Sequence, residues 1–108
     1  MSTNITKILY IHVLYRSAFR INIMSVEEKF NKAVQDVNTL TDLDNDNLLY
    51  LYGLYKQVTC GDCNVSKPGF FNLKGQAKWR AWESRKGLKK EKAQKKYIDK
   101  VESLLSKI

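Results

Sequence analysis

Residues Leu48–Asn64 read LLYLYGLYKQVTCGDCN, and this stretch decides whether the chain is built around a metal or redox centre or around a packed helix. A structural zinc site needs four ligands, whereas the chain offers Cys60, Cys63 and one distant histidine, His12. A thioredoxin-like dithiol needs strands around it, and no segment alternates with period two over a useful length. The two cysteines are therefore read as small residues that close a helix and open a loop, with no metal and no cofactor assigned. Tyr52, Tyr55 and Lys56 recur at i, i+3 and i+4 and share a helical face, while Tyr50 points elsewhere. Flat rings with hydroxyls beside a compact charge suit a nucleotide, and they equally suit a core.

The helical pattern extends in both directions from this stretch. Upstream, Ser25-Val26-Glu27-Glu28 fits a capping box, in which the serine hydroxyl and the Glu28 carboxylate satisfy free amides of the first turn. Phe30, Ala33, Val34 and Val37 then mark one apolar face running to about Leu40. TDLDNDN supplies a loop, and the second helix is expected from about Asp46 to Val58, largely buried, with Gly61 just past its end. Pro68-Gly69 turns the loop that follows. A third helix from about Leu73 to Arg85 carries Trp79 and Trp82, with Gly87 beyond it, and a fourth runs from about Lys90 to Leu105. The predicted class is all-α with four helices.

The chain has 108 residues, 44% of them apolar, which is enough for one domain with a thin core. No run of the roughly 18 apolar residues needed for a membrane span is present. The net charge of +8 is unevenly spread: +3 over residues 1–23, −3 over 24–73 and +8 over 74–108. A basic half suits nucleic acid, an acidic membrane surface or a phosphorylated small molecule, and a solvated lysine-rich face is the plain alternative. No catalytic constellation emerges: G-x-S-x-G, the P-loop and G-x-G-x-x-G are all absent, and the acids do not pair. The chain is read as a non-enzyme.

Residues 1–23, MSTNITKILYIHVLYRSAFRINI, contain Lys7, Arg16 and Arg20 and no acid. That is transit-peptide composition, but Met24 stands directly before the first helix cap and competes as the initiator. The expected organisation is an extension over 1–23 and a folded domain over 24–108. Two cysteines are too few for a disulfide scaffold, so reduced thiols in the cytoplasm are expected, or mitochondria if the leader is a transit peptide.

Four ordered segments, EKFNKAVQDV, LYLYGLYKQVTCGDCN, KPGFFNLKGQAKWRAWESRKG and AQKKYIDKVESLL, carry a resemblance to the acyl-CoA-binding protein family over residues 26–105. The resemblance implies a four-helix bundle that carries long-chain fatty acyl-CoA esters. It implies that Tyr52 and Lys56 hold the adenosine 3′-phosphate, that Tyr55 meets the adenine, that Lys78 reaches phosphates and that Tyr97 completes the head-group site. Val34, Leu48 and Leu49 match positions along the acyl groove. A monomer is implied, with the ligand as its main partner and transient contact with acyl-CoA-using enzymes or membranes. The alternative class is a basic helical module for nucleic acid or a protein partner, using the fourth helix.

Three departures from the family pattern bear on this. Asn38 stands where many members carry a lysine. The acidic loop TDLDNDN is a residue shorter than in animal members. Leu88-Lys89 precedes the fourth helix where a Ser/Thr cap is common, so its first turn is expected to fray.

Overall fold

A computed structural model describes residues 24–107; the leader, with its competing readings and His12, lies outside the described residues. These fold into four helices: α1 Val26–Val37, α2 Asn45–Cys60, α3 Leu73–Glu83 and α4 Lys90–Leu105. No strand occurs among the described residues, in agreement with the all-α expectation.

The helix ends follow from their side chains. Ser25 caps α1 by accepting the Glu28 amide at 3.2 Å, but the Glu28 carboxylate bonds the serine hydroxyl at 3.3 Å, so the capping box is only half formed. α1 stops at Val37 instead of Leu40 because Asn38 and Thr39 favour tighter bonding: the Thr39 hydroxyl donates to the Asp36 carbonyl, and Leu40 N–H reaches back three residues to Val37. Asp44, not a later residue of the loop, caps α2 through the Asn47 amide at 2.8 Å. At the other end α2 runs two residues past Val58, closed by Gly61 at φ 80° with its N–H on the Gln57 carbonyl. Asn72 caps α3 through Gly75 N–H at 2.9 Å; α3 ends two residues before Arg85, where the Ser84 hydroxyl donates to the Ala81 carbonyl and the Arg85 N–H reaches back three residues to Trp82. Lys89 makes no side-chain cap for α4, as its sequence implies.

The helices touch in the order α1–α4–α2–α3, an open series with α1 set against α4 instead of α2. The main core gathers Phe30 from α1, Leu51, Leu54 and Val58 from α2, and Tyr97 and Val101 from α4, with Leu54 fully buried. Gln94, buried on α4, donates to Glu27 at 2.6 Å and ties the starts of α1 and α4 together. Gly53 is buried where α2 crosses α3, and a Cβ at this position would overlap the Ala81 carbonyl.

The segment between α2 and α3 has no regular structure, yet α3 holds it through side chains three residues apart. Gln76 donates to the carbonyls of Pro68 and Gly69 at 3.2 and 3.1 Å, Trp79 to Val65 and Trp82 to Gly61, both at 2.8 Å. Spacing of three puts these donors along one side of the helix. Asp62 completes the brace: its Oδ1 accepts from Gln57 Nε2 and from Gly87 N–H, each at 2.8 Å. Gln57 also donates to the Leu88 carbonyl at 3.0 Å, so the end of α2 is fastened to the α3–α4 turn.

Two outcomes follow. Gly53→Ala forces α2 from the Ala81 backbone and should cost about 1–3 kcal/mol in urea denaturation. The bonds from Gln57 and then Gly87 hold the Asp62 carboxyl below its usual range. A depressed folded-state pKa stabilises above the unfolded value of about 3.9 and is lost as pH falls through the lower folded value. Asp62→Asn should therefore lower the thermal midpoint at neutral pH, with the gap from the parent closing in acid; a gap that widens in acid contradicts this role.

Candidate functional site

α2 positions most of the residues that the sequence singles out, and it presents them on two flanks. On the flank toward α3, Tyr52 is half-buried and the Lys78 ammonium lies 5.7 Å from its ring centroid. One turn later the Lys56 ammonium lies 4.6 Å over the ring of Trp82. On the flank toward α1, Tyr55 is exposed and stacks near Phe30, with centroids 6.4 Å apart and planes at 22°. Phe30 also meets Tyr97 edge-on at 5.0 Å, so one phenylalanine joins the tyrosines of α2 and α4. The trio Tyr52, Tyr55 and Lys56 is thus less of a unit than shared spacing suggests: Tyr55 leans to one helix, the other two to another.

The expectation that α2 is largely buried holds for Leu51, Gly53, Leu54, Gln57 and Val58, but not for the side that carries Leu48 and Tyr55. Leu48 is 45% exposed and Tyr55 40% exposed, and with Tyr52 they stand at i, i+7 and i+4 along one stripe. A stripe of apolar and aromatic residues left open on a core helix is available to an apolar ligand. Beside it, between α1 and α2, lies an open cleft of about 570 Å³ lined by Phe30, Val34, Tyr55 and Val58, with Glu27 and Lys90 at its edge. Of the expected groove residues Val34 lines this cleft, and so does Tyr55, which the resemblance placed at the adenine. Leu48 and Leu49 are not in its lining; Leu49 is half-buried about two turns before Tyr55.

Among the described residues, the ion pairs join Lys32 with Asp36, Lys90 with Glu27 and Lys95 with Glu91. Lys56 and Lys78 have no carboxylate partner there. Each rests its charge over an aromatic face, which favours the cation without neutralising it. The two ammonium groups thus remain as unneutralised cations on adjoining helices, each able to meet an anion. Burial, followed by the neighbouring Tyr55, pushes the Tyr97 phenol up, so it stays a neutral hydroxyl able to donate.

Cys60 is the last residue of α2 and is exposed, and Cys63 follows in the loop; both are free. The Thr59 hydroxyl, 3.6 Å from Cys60 Sγ, does most to draw that thiol below its usual range; desolvation opposes it, and Lys56 adds a lesser lowering. Cys60 thus borders the Lys56 flank, a closeness its role as helix punctuation does not convey. No cluster of three or more His, Cys, Asp or Glu suited to a metal occurs among the described residues.

Three site neighbours go unmarked in the sequence reading. Trp82 is the platform beneath Lys56, and Phe30 links Tyr55 to Tyr97; their aromatic character is visible, but not which side chain each meets. Tyr50 is the third, lying 4.6 Å from the Arg85 guanidinium carbon and 5.2 Å from Lys100 Nζ. Nothing local signals that grouping, because one cation arrives from the turn after α3 and the other from α4.

Comparison with known proteins adds a separate line. The family model described as acyl CoA binding protein matches residues 27–101. The chain is 53% identical over 79 residues to acyl-CoA-binding protein homolog 1 of Caenorhabditis elegans, covering 72% of this chain and 92% of that one. It is 48% identical over 83 residues to acyl-CoA-binding protein 2 of Saccharomyces pastorianus, covering 76% and 95%. Among solved structures, the crystal structure of Oryza sativa acyl-CoA-binding protein 2 superposes with a TM-score of 0.74 at 43% identity, covering 77% of this chain and 93% of that one.

Proposed function

Because the chain belongs to the acyl-CoA-binding protein family, its ligand class is the fatty acyl-CoA ester, and we propose that the two flanks of α2 divide that ligand between them. The protein binds long-chain acyl-CoA and acts as its carrier and pool former in lipid metabolism. Lys56, Lys78 and Tyr52 hold the phosphates of the head group. Tyr55 supplies a ring for the base, and Tyr97 donates its hydroxyl from beneath. The acyl chain takes the α1–α2 side, along Val34 and the exposed stripe that begins at Leu48, with Leu49 packing behind it. The observation that carries this assignment is the pair of ammonium groups without carboxylate partners, both seated on rings beside an open apolar stripe.

We read the protein as a monomeric carrier without catalytic residues or a resident cofactor. It takes up and gives up its ligand through transient contact with acyl-CoA-using enzymes or membranes. Residues 24–108 form the binding domain and 1–23 an extension; the compartment is cytoplasmic, or mitochondrial if that extension is a transit peptide. No helix among the described residues is long and apolar enough to cross a membrane. The comparisons lend no support to the nucleic-acid or protein-interaction alternative built on the basic α4.

Two measurements test the assignment. Each methylene moved from water into the groove contributes up to about 0.8 kcal/mol, so affinity should climb about fourfold per carbon until the groove is full, with free CoA weak. Equal calorimetric affinities for free CoA and palmitoyl-CoA would remove the groove from the mechanism. A hydrogen bond to a charged group contributes about 1.5–3 kcal/mol, so Lys56→Ala should weaken palmitoyl-CoA binding about 10- to 100-fold while circular dichroism stays unchanged. Lys95→Ala, which breaks only a surface pair with Glu91, is the control and should bind normally.

A further inference from the structure

The α2–α3 segment ends in a tight turn whose tip is formed by the most exposed apolar side chains of the described residues. Asn72 N–H bonds the Gly69 carbonyl at 3.0 Å, and Phe70 and Phe71 occupy the two positions between. They are 80% and 95% exposed, with Leu73 beside them at 73%. The two rings meet each other edge-on at 5.3 Å, and neither stacks on another described aromatic ring. The turn is braced, because Gln76 bonds the carbonyls of Pro68 and Gly69 and Trp79 bonds that of Val65. Its exposed rings are therefore held outward on a fixed support, and hydration of two whole phenyl groups is unfavourable unless something else covers them.

The charge around the tip identifies what covers it. From Cys63 to Trp82 the chain carries Lys67, Lys74, Lys78 and Arg80 and no acid. We propose that the Phe70-Phe71 turn is a membrane-docking wedge that enters the headgroup layer of an anionic phospholipid leaflet, with Lys67 and Lys74 on the lipid phosphates. A short convex tip suits insertion into a soft interface better than it suits a protein partner, since stable protein interfaces bury about 800 Å² on each side. Aromatic rings at the headgroup level with flanking lysines match interfacial anchoring, and neither signal alone holds a protein on a bilayer. Lys78, one turn after Lys74 on α3, reaches the Tyr52 ring, so the wedge and the proposed head-group site share a helix. The wedge rests on the carrier reading for its purpose and extends it by naming the surface that meets the membrane.

Vesicle co-sedimentation of the full chain, without ligand, tests the wedge on phosphatidylcholine alone and on phosphatidylcholine mixed with phosphatidylserine. The parent should bind the mixed vesicles and release them at high salt. Phe70→Ser with Phe71→Ser should weaken this binding about tenfold or more. Lys67→Gln and Lys74→Gln should each lower it up to about fivefold. Because both rings lie outside the core, helicity of the double variant should match the parent, and so should its palmitoyl-CoA affinity in solution. Unchanged vesicle binding by the double variant overturns the wedge, as does a parent that ignores anionic vesicles, which would return the rings to a protein partner. Calorimetry with palmitoyl-CoA reads the carrier assignment separately: its failure beside intact vesicle binding sinks the carrier, and the reverse pattern sinks the wedge alone.

Discussion

The indole of Trp82 is the contact on which both the fold and the site depend. It is almost wholly buried, its Nε1 donates to the Gly61 carbonyl, and its ring lies beneath the Lys56 ammonium. One side chain thereby secures the glycine that ends α2, anchors the irregular segment to α3 and offers a negative ring face to a cation with no carboxylate nearby. Gly53 permits the arrangement, since α3 comes close enough only where α2 lacks a Cβ. Trp79 and Gln76 repeat the device along the same helix, which is how a loop without regular structure keeps its backbone carbonyls satisfied.

Charge and apolarity are sorted by helix geometry, not by chain segment. α2 faces α3 with half-buried Tyr52 and Lys56, and it faces the α1 cleft with Tyr55. A ligand with a polyanionic end and a long apolar end would meet both. The favourable terms differ in kind: burial of methylenes grows with length, whereas exposed charge contacts are each worth about 1 kcal/mol or less and weaken with salt. In the proposed binding mode, burial of the tail supplies the part of the affinity that grows with length, while the head-group contacts add a part independent of length and set orientation.

Much of this could be read from the sequence, because the strongest signals were local. The four helices followed from apolar spacing and from caps such as Ser25, and Gly61 marked the end of α2 within two residues. The family segments also pointed to Tyr52, Tyr55, Lys56, Lys78 and Tyr97 as one set; the structure sets Tyr52 with Lys78 and Lys56 with Trp82 on one flank of α2, and Tyr55 and Tyr97 against Phe30 on the other. What could not be read depends on relations across the chain. The separation of Tyr55 from Tyr52 and Lys56 comes from which helix each meets, and spacing along one helix does not encode that. Asp44 as the α2 cap, where a later residue was expected, reflects three acids at alternate positions in one loop, any of which could cap. The exposed setting of Leu48 was equally hidden, since an apolar residue in an apolar helix looks like core.

The placement of α1 has a consequence for how the protein comes into being. α1 packs mainly on α4, with Phe30 also meeting Tyr55 of α2, and the bond from Gln94 to Glu27 spans 67 residues. A growing chain holds α1, α2 and α3 for some time before α4 exists to dock α1, and long-range closure of this kind slows folding. The cleft between α1 and α2 has no rigid wall until then. The cleft between α1 and α2 thus depends on the helix that comes last among the described residues, so its walls are fixed only when nearly all of the described chain is available to fold.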